Sequence, residues 1–161
     1  MKKIKYVWVK YKFRLKQIKL IFLLFYVMAT AIHAVGQQEI VTIPKEKQDD
    51  IDRYKELVVR YKQANNSQQA AFYLNKIAFI YWEFGNPKEA INYFLETIPL
   101  NEKVGNYNDI KAVYSNIALI YSDMDRLDLT LEYFYKSLEA RRKLNNKGEV
   151  AAGLIDVAYI H

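Results

Sequence analysis

From residue 48 to the end of the chain, apolar side chains recur every three or four positions, which is the period of an amphipathic helix rather than a strand. The pattern repeats on a longer scale. Shifting the sequence by 40 residues aligns Leu74-Asn75-Lys76-Ile77-Ala78-Phe79-Ile80-Tyr81 with Tyr114-Ser115-Asn116-Ile117-Ala118-Leu119-Ile120-Tyr121 and with Leu154-Ile155-Asp156-Val157-Ala158-Tyr159-Ile160-His161. The same shift aligns Tyr54, Phe94 and Phe134, then Val58, Ile98 and Leu138, then Asn66, Asn106 and Asn146. A fixed period of this length marks an array of stacked supersecondary units.

Each unit divides into two helices, A and B. In the first full unit, helix A covers about 67–84 and ends at Gly85, whose freedom at positive φ suits a helix C-terminus. Asn86 is expected to cap the next helix and Pro87 to open it, where a missing N–H costs nothing. Helix B covers about 87–104, with Ala90, Ile91, Phe94 and Ile98 on one face, and Gly105-Asn106 closes it. Pro99, inside that helix, removes one backbone bond and should bend it. In the second unit Met124-Asp125-Arg126 and Asn145-Asn146-Lys147-Gly148 provide weaker punctuation. The expected domain plan is a leader at 1–36, a linker at 37–47 containing Pro44, and helical repeats at 48–161. The repeats divide into a lone helix B (48–66), full units at 67–106 and 107–146, and an incomplete unit at 147–161.

These residues resemble the tetratricopeptide repeat family. Its small residue in helix A, the aromatic one turn later, the small residue opening helix B and the aromatic after it are matched by Ala78, Tyr81, Ala90 and Phe94, and by Ala118, Tyr121, Thr130 and Phe134. The early tryptophan of the family is replaced by Leu74 or Tyr114, its closing proline is absent, and the period is 40 rather than the family's usual length of about 34. The longer period is similar to that of exported sensor regions of bacterial histidine kinases and related regulators. The resemblance implies an all-α solenoid of antiparallel helix-turn-helix units. Ala78 and Ala118 would let A and B approach closely, while Tyr81, Phe94, Tyr121 and Phe134 fill the space between them.

Charge changes the picture only at the amino terminus. The net charge of +6 arises from eight Lys and Arg and no acid in residues 1–36; residues 37–161 hold sixteen Lys and Arg against eighteen Asp and Glu. No basic surface suited to a phosphate backbone is left in the body, so nucleic acid is not an expected partner. After the basic stretch, Leu20 to Val35 are sixteen residues free of Asp, Glu, Lys and Arg, a length that suits a signal peptide better than a spanning helix. Ala34-Val35-Gly36 offers a cleavage site after Gly36. Tyr6, Trp8, Tyr11 and Phe13, interleaved with lysines, keep an uncleaved hydrophobic anchor as the alternative, with membrane contact then confined to residues 1–36. Either way residues after 36 are expected to be exported, to the periplasm or another extracytoplasmic space.

The chain has no cysteine, and its two histidines, His33 and His161, lie in the leader and at the last position, so thiol and imidazole chemistry are not expected. Asp123, Asp125 and Asp128 superficially suggest a calcium loop, but Leu127, Asp128 and Phe134 stand where that loop needs a ligand, a glycine and a closing glutamate. Asp49, Asp50, Asp52 and Glu56 read as early-helix acids that favour the dipole, and Arg141-Arg142-Lys143 as late-helix cations that do the same. No phosphate loop or nucleophile elbow occurs, so the expectation is a non-enzymatic protein without metal or cofactor.

A stack of helix pairs offers a concave surface lined by A helices, able to hold a protein or peptide. The family's groove positions fall on Phe72, Asn75, Phe79, Trp82 and Glu83 in the first unit and on Ser115, Leu119, Ser122 and Asp123 in the second. Phe79 and Trp82 are the expected anchors, and Asn75 a hydrogen-bonding group. In the last helix, 147–160, an apolar strip of Val150, Leu154, Val157 and Ala158 faces no helix B. Three outcomes stay open for it: a longer native protein, self-association, or a docked partner. The leading functional expectation is an exported scaffold for protein–protein contact, as the sensory or assembly part of an envelope system. The alternative is the truncated sensory region of a membrane-bound two-component sensor kinase or transcriptional regulator.

Overall fold

The computed structural model describes residues 42–158, together with Leu23 and Met28. Apart from Leu23 and Met28, the leader and its cleavage site after Gly36, His33, residues 37–41 of the linker, and Tyr159, Ile160 and His161 lie outside the described residues. Residues 42–158 form six helices: α1 (Lys45–Gln63), α2 (Ser67–Glu83), α3 (Pro87–Lys103), α4 (Tyr107–Asp123), α5 (Leu127–Arg142) and α6 (Lys147–Ala158). Among the described residues there is no strand, and no helix is long and apolar enough to cross a membrane. Each helix packs on its neighbours in chain order, as in a solenoid, with α2 on α3 and α4 on α5 making the most extensive pairs.

The helices end by one device repeated at a fixed interval. Asn65, Gly85, Gly105, Asp125 and Asn145 all have positive φ, between 52° and 68°, and they fall every 20 residues. At the first four turns the next N–H reaches back to the residue five earlier: Asn66 N–H to Tyr61 O, Asn86 N–H to Tyr81 O, Asn106 N–H to Asn101 O and Arg126 N–H to Tyr121 O, at 2.8–2.9 Å. This is the Schellman closure, which satisfies carbonyls that a helix end leaves open. Asn and Asp tolerate the left-handed region better than other side-chain-bearing residues, so Asp125 turns the chain where the first unit uses Gly85.

Asn66 and Asn106 cap α2 and α4 by accepting from Gln69 N–H and Asp109 N–H. Asn86 departs from expectation: it occupies the cap position of α3, but its side chain donates to Phe84 O instead. With Pro87 at N1, one of the N–H groups that a helix start leaves open is already gone. The helix continues through Pro99 to Lys103, with the proline on the exposed side, where the carbonyl it leaves unpaired can meet water. The first helix starts at Lys45, three residues earlier than the periodicity indicated, because Pro44 supplies the extended residue before it.

The core follows the repeat. Ala78, Ala90 and Phe94 are fully buried in the first unit and Ala118 and Thr130 in the second, with Phe134 close behind. Tyr81 and Tyr121 reach from helix A onto helix B at the margin of the interface. Both are half-buried and lie at the core's edge, stacked on Tyr93 (5.5 Å between centroids) and Tyr133 (5.4 Å). Their hydroxyls favour that position, since a fully buried tyrosine needs a hydrogen-bond partner.

The strip expected on the last helix is also corrected. Val157 is only 7% exposed and packs in the core, and Val150 is half-buried; the open apolar residues are Leu154 (51%), Ile155 (68%), Ala151 and Ala158. Gly153 explains the rotation. A methyl group there would lie 2.8 Å from Arg141 Cδ and 2.9 Å from Leu138 Cδ1, so α6 presses its glycine side against α5.

A candidate protein-binding face on the A helices

Helix α2 exposes Gln68, Phe72, Lys76, Phe79 and Glu83, which spacing places along one stripe. The corresponding stripe of α4 carries Asn108, Ala112, Leu119 and Asp123. Phe72, Phe79 and Leu119 are large apolar side chains left open to water by helices whose other faces are packed. The aromatic ring of Phe79 is held in place from below. It meets the fully buried Phe94 edge-on at 5.2 Å and stacks on Trp82 at 6.1 Å, while Trp82 also contacts Phe94 edge-on at 6.3 Å. An exposed ring braced by a buried one loses little conformational freedom when a partner covers it. Lys76 Nζ lies over the Phe72 ring at 5.4 Å.

The expected site residues separate into two groups. Phe72, Phe79, Glu83, Leu119 and Asp123 are exposed on the A helices, with Trp82 half-buried beside Phe79 and Ser122 half-buried in the last turn of α4. Ser115 turns toward helix B instead, and Asn75 is withdrawn from the open face. Ser115 Oγ lies 2.9 Å from Ser137 Oγ, which in turn bonds to Lys111 O at 2.9 Å, so this hydroxyl joins α4 to α5. Asn75 is half-buried, and its Oδ1 is shielded from water with no hydrogen-bond partner. A free Oδ1 in that setting is an acceptor awaiting a donor.

Sequence reasoning passed over Tyr93 and Tyr133, although their 40-residue spacing and position just before Phe94 and Phe134 were available as a sign. Burial pushes the hydroxyls of Tyr81, Tyr93, Tyr114 and Tyr133 above the usual tyrosine value, so they stay protonated at neutral pH. Arg141 stands in the last turn of α5, where the sequence placed it as a helix-end cation. What the sequence did not indicate is that it is half-buried and ion-paired to Glu149 at 3.3 Å and Asp156 at 2.9 Å, while Lys111 reaches Glu149 at 2.5 Å. No periodicity marks that network beforehand. Among the described residues, no three His, Cys, Asp or Glu side chains come together to hold a metal ion.

The tetratricopeptide repeat family matches at residues 73–104 and 112–148, the two full helix pairs whose register is described above. No curated protein matches the chain significantly. Among solved structures, BtubC (BKLC) from P. vanneervenii is similar, with a TM-score of 0.55 and 15% identity over 68% of this chain and 46% of that one. This chain therefore spans less than half of that relative's length, and at this identity the likeness is one of fold. The helix pairs, their small-to-aromatic contacts and the sequence match agree that residues 73–104 and 112–148 are tetratricopeptide repeats.

Proposed function

We propose that this chain is an exported, non-enzymatic scaffold that captures a protein or peptide on the exposed face of its A helices. Tetratricopeptide repeats are helical scaffolds that generally mediate protein–protein contact. The observation that carries the finer reading is Phe79, 43% exposed yet braced by Phe94 and Trp82, in register with the equally open Leu119. Large apolar groups fixed at a surface supply most of the binding energy when a partner excludes water from them. Export rests on the leader, where a basic stretch precedes Leu20 to Val35. The scaffold then serves as the sensory or assembly part of an envelope system. A sensory region of a membrane-bound kinase or regulator is the rival reading, favoured by the 40-residue period.

A photo-crosslinking residue placed at Phe79, at Leu119 and at the exposed Tyr135 of α5 tests the face in the source cell. Defined adducts at 79 and 119 but not at 135 are expected; equal labelling at all three, or none at 79 and 119, refutes the proposal. The intact mass of the product recovered from the envelope separates the small scaffold from the larger regulator.

A further inference from the structure

We infer that the segment captured on this face joins apolar side chains to basic ones. The inference rests on the A-helix reading above and specifies the chemistry of its partner. Glu83 is the last residue of α2 and Asp123 the last of α4, one repeat period apart. Each stands four residues beyond an exposed apolar anchor, Phe79 or Leu119, and so on the same helical stripe, with about 5–6 Å between their β-carbons. The face therefore presents an apolar row and, one turn further on, a row of carboxylates.

Those carboxylates occupy an electrostatically poor place. The C-terminal end of a helix carries partial negative charge and favours cations, yet neither α2 nor α4 has a basic residue in its last turn. Among the described residues, neither Glu83 nor Asp123 lies within ion-pair distance of a cation. The turns that follow do not relieve them. Within residues 83–89 and 123–128 the acids Glu83, Glu89, Asp123, Asp125 and Asp128 outnumber the cations Lys88 and Arg126, and Arg126 is engaged by Asp128 at 3.1 Å. Nearer the α2 N-terminus, the cation on the face, Lys76, lies over the ring of Phe72.

A partner laid across α2 and α4 thus meets Phe79 and Leu119 with its apolar residues while its neighbouring positions face carboxylates. Lys or Arg at those positions removes the mutual repulsion of the acids and complements both helix ends. An acidic segment with the same apolar residues would add to it. Exposed charges at the rim act chiefly on association and on salt dependence, so the preference is expected to be sensitive to ionic strength.

The test uses the full chain and three labelled synthetic peptides with identical Leu and Phe positions, their remaining positions filled by Lys, Gln or Glu. In low salt the Lys peptide should bind at least about tenfold more tightly than the Glu peptide, and the gap should narrow to about threefold or less in about 0.5 M NaCl. Glu83→Gln with Asp123→Asn should reduce the Lys preference to about threefold or less in low salt while leaving the Gln peptide's affinity unchanged. Both positions are exposed, and circular dichroism checks that the helices are intact. Phe79→Ala should weaken all three peptides alike. Equal binding of the three peptides, or a Lys preference that survives in the double variant, overturns this inference and leaves the A-helix face standing. Failure of every peptide to bind removes the face itself.

Discussion

At the α1–α2 junction, Tyr61 lies nearly flat on Tyr73 with ring centroids 5.7 Å apart, and Tyr54 tilts onto the same ring at 5.5 Å. Two repeat periods later the corresponding positions are Arg141 and Gly153, where a guanidinium crosses a helix that has no side chain to oppose it. Between them stand Asn101, smaller than either Tyr61 or Arg141, and Val113, intermediate in size between Tyr73 and Gly153. As the side chain on the B helix changes from Tyr through Asn to Arg, its neighbour on the next A helix shrinks from Tyr through Val to Gly. One backbone register therefore accepts aromatic stacking at one end and ion pairing at the other. The difference lies in what weakens each: stacked rings respond to lost area, and the Lys111–Glu149–Arg141–Asp156 network responds to salt and acid.

Removing the ring of Tyr73 tests the aromatic junction most severely. Tyr73→Ala should lower stability by about 3 kcal/mol in urea unfolding and should release α1 first, seen as faster amide exchange there than in α4. The opposite end is probed by Gly153→Ala. Its methyl meets Arg141 and Leu138 at under 3.0 Å, so α6 should lose about 1–2 kcal/mol of local protection while α1 is unaffected. Replacing the cation, Arg141→Met, should cost about 1 kcal/mol and abolish most of the salt sensitivity of α6 exchange; an α6 equally salt-sensitive in the variant would show that these pairs do not hold it.

Acid should divide the two junctions as well. Lys111, by hydrogen bonding, holds the Glu149 carboxyl below its ordinary value of 4.5. Its contribution is present above that value and fades as the pH falls through the lowered one. Between about pH 6 and about pH 3, α6 should lose exchange protection before α1 does, once intrinsic rates are corrected. The smallest expected change is at a turn: Asp125→Gly, where φ is 55°, should raise stability by about 0.5 kcal/mol in thermal unfolding.

Much of this architecture was legible in the sequence because helix pairs repeat with a constant period. Helical spacing put Ala90 and Phe94 on an inward face, the family resemblance added Ala78, Ala118, Thr130 and Phe134, and all six are buried. The phase of α6 was not legible. Val150, Leu154 and Val157 form an acceptable apolar stripe, but the helix turns its Gly153 side inward to admit Arg141, and hydrophobic periodicity does not register a missing side chain. Asn75 and Ser115 were assigned to the candidate face because the family's groove positions fall on them. The inward turn of Ser115 is set by the partner helix, through Ser137. Glu83 and Asp123 were named as face residues, whereas their lack of cationic neighbours required three dimensions to see.

The left-handed residues at 65, 85, 105, 125 and 145 make the chain metrically strict. Deleting one residue inside a helix rotates everything beyond it by about 100° and turns a core stripe toward water. Excising a block of 40 leaves every later side chain facing as before. Length in such a molecule comes in discrete steps, so the heritable changes easiest to tolerate are the gain or loss of whole repeats, each of which lengthens or shortens the row of A helices by one.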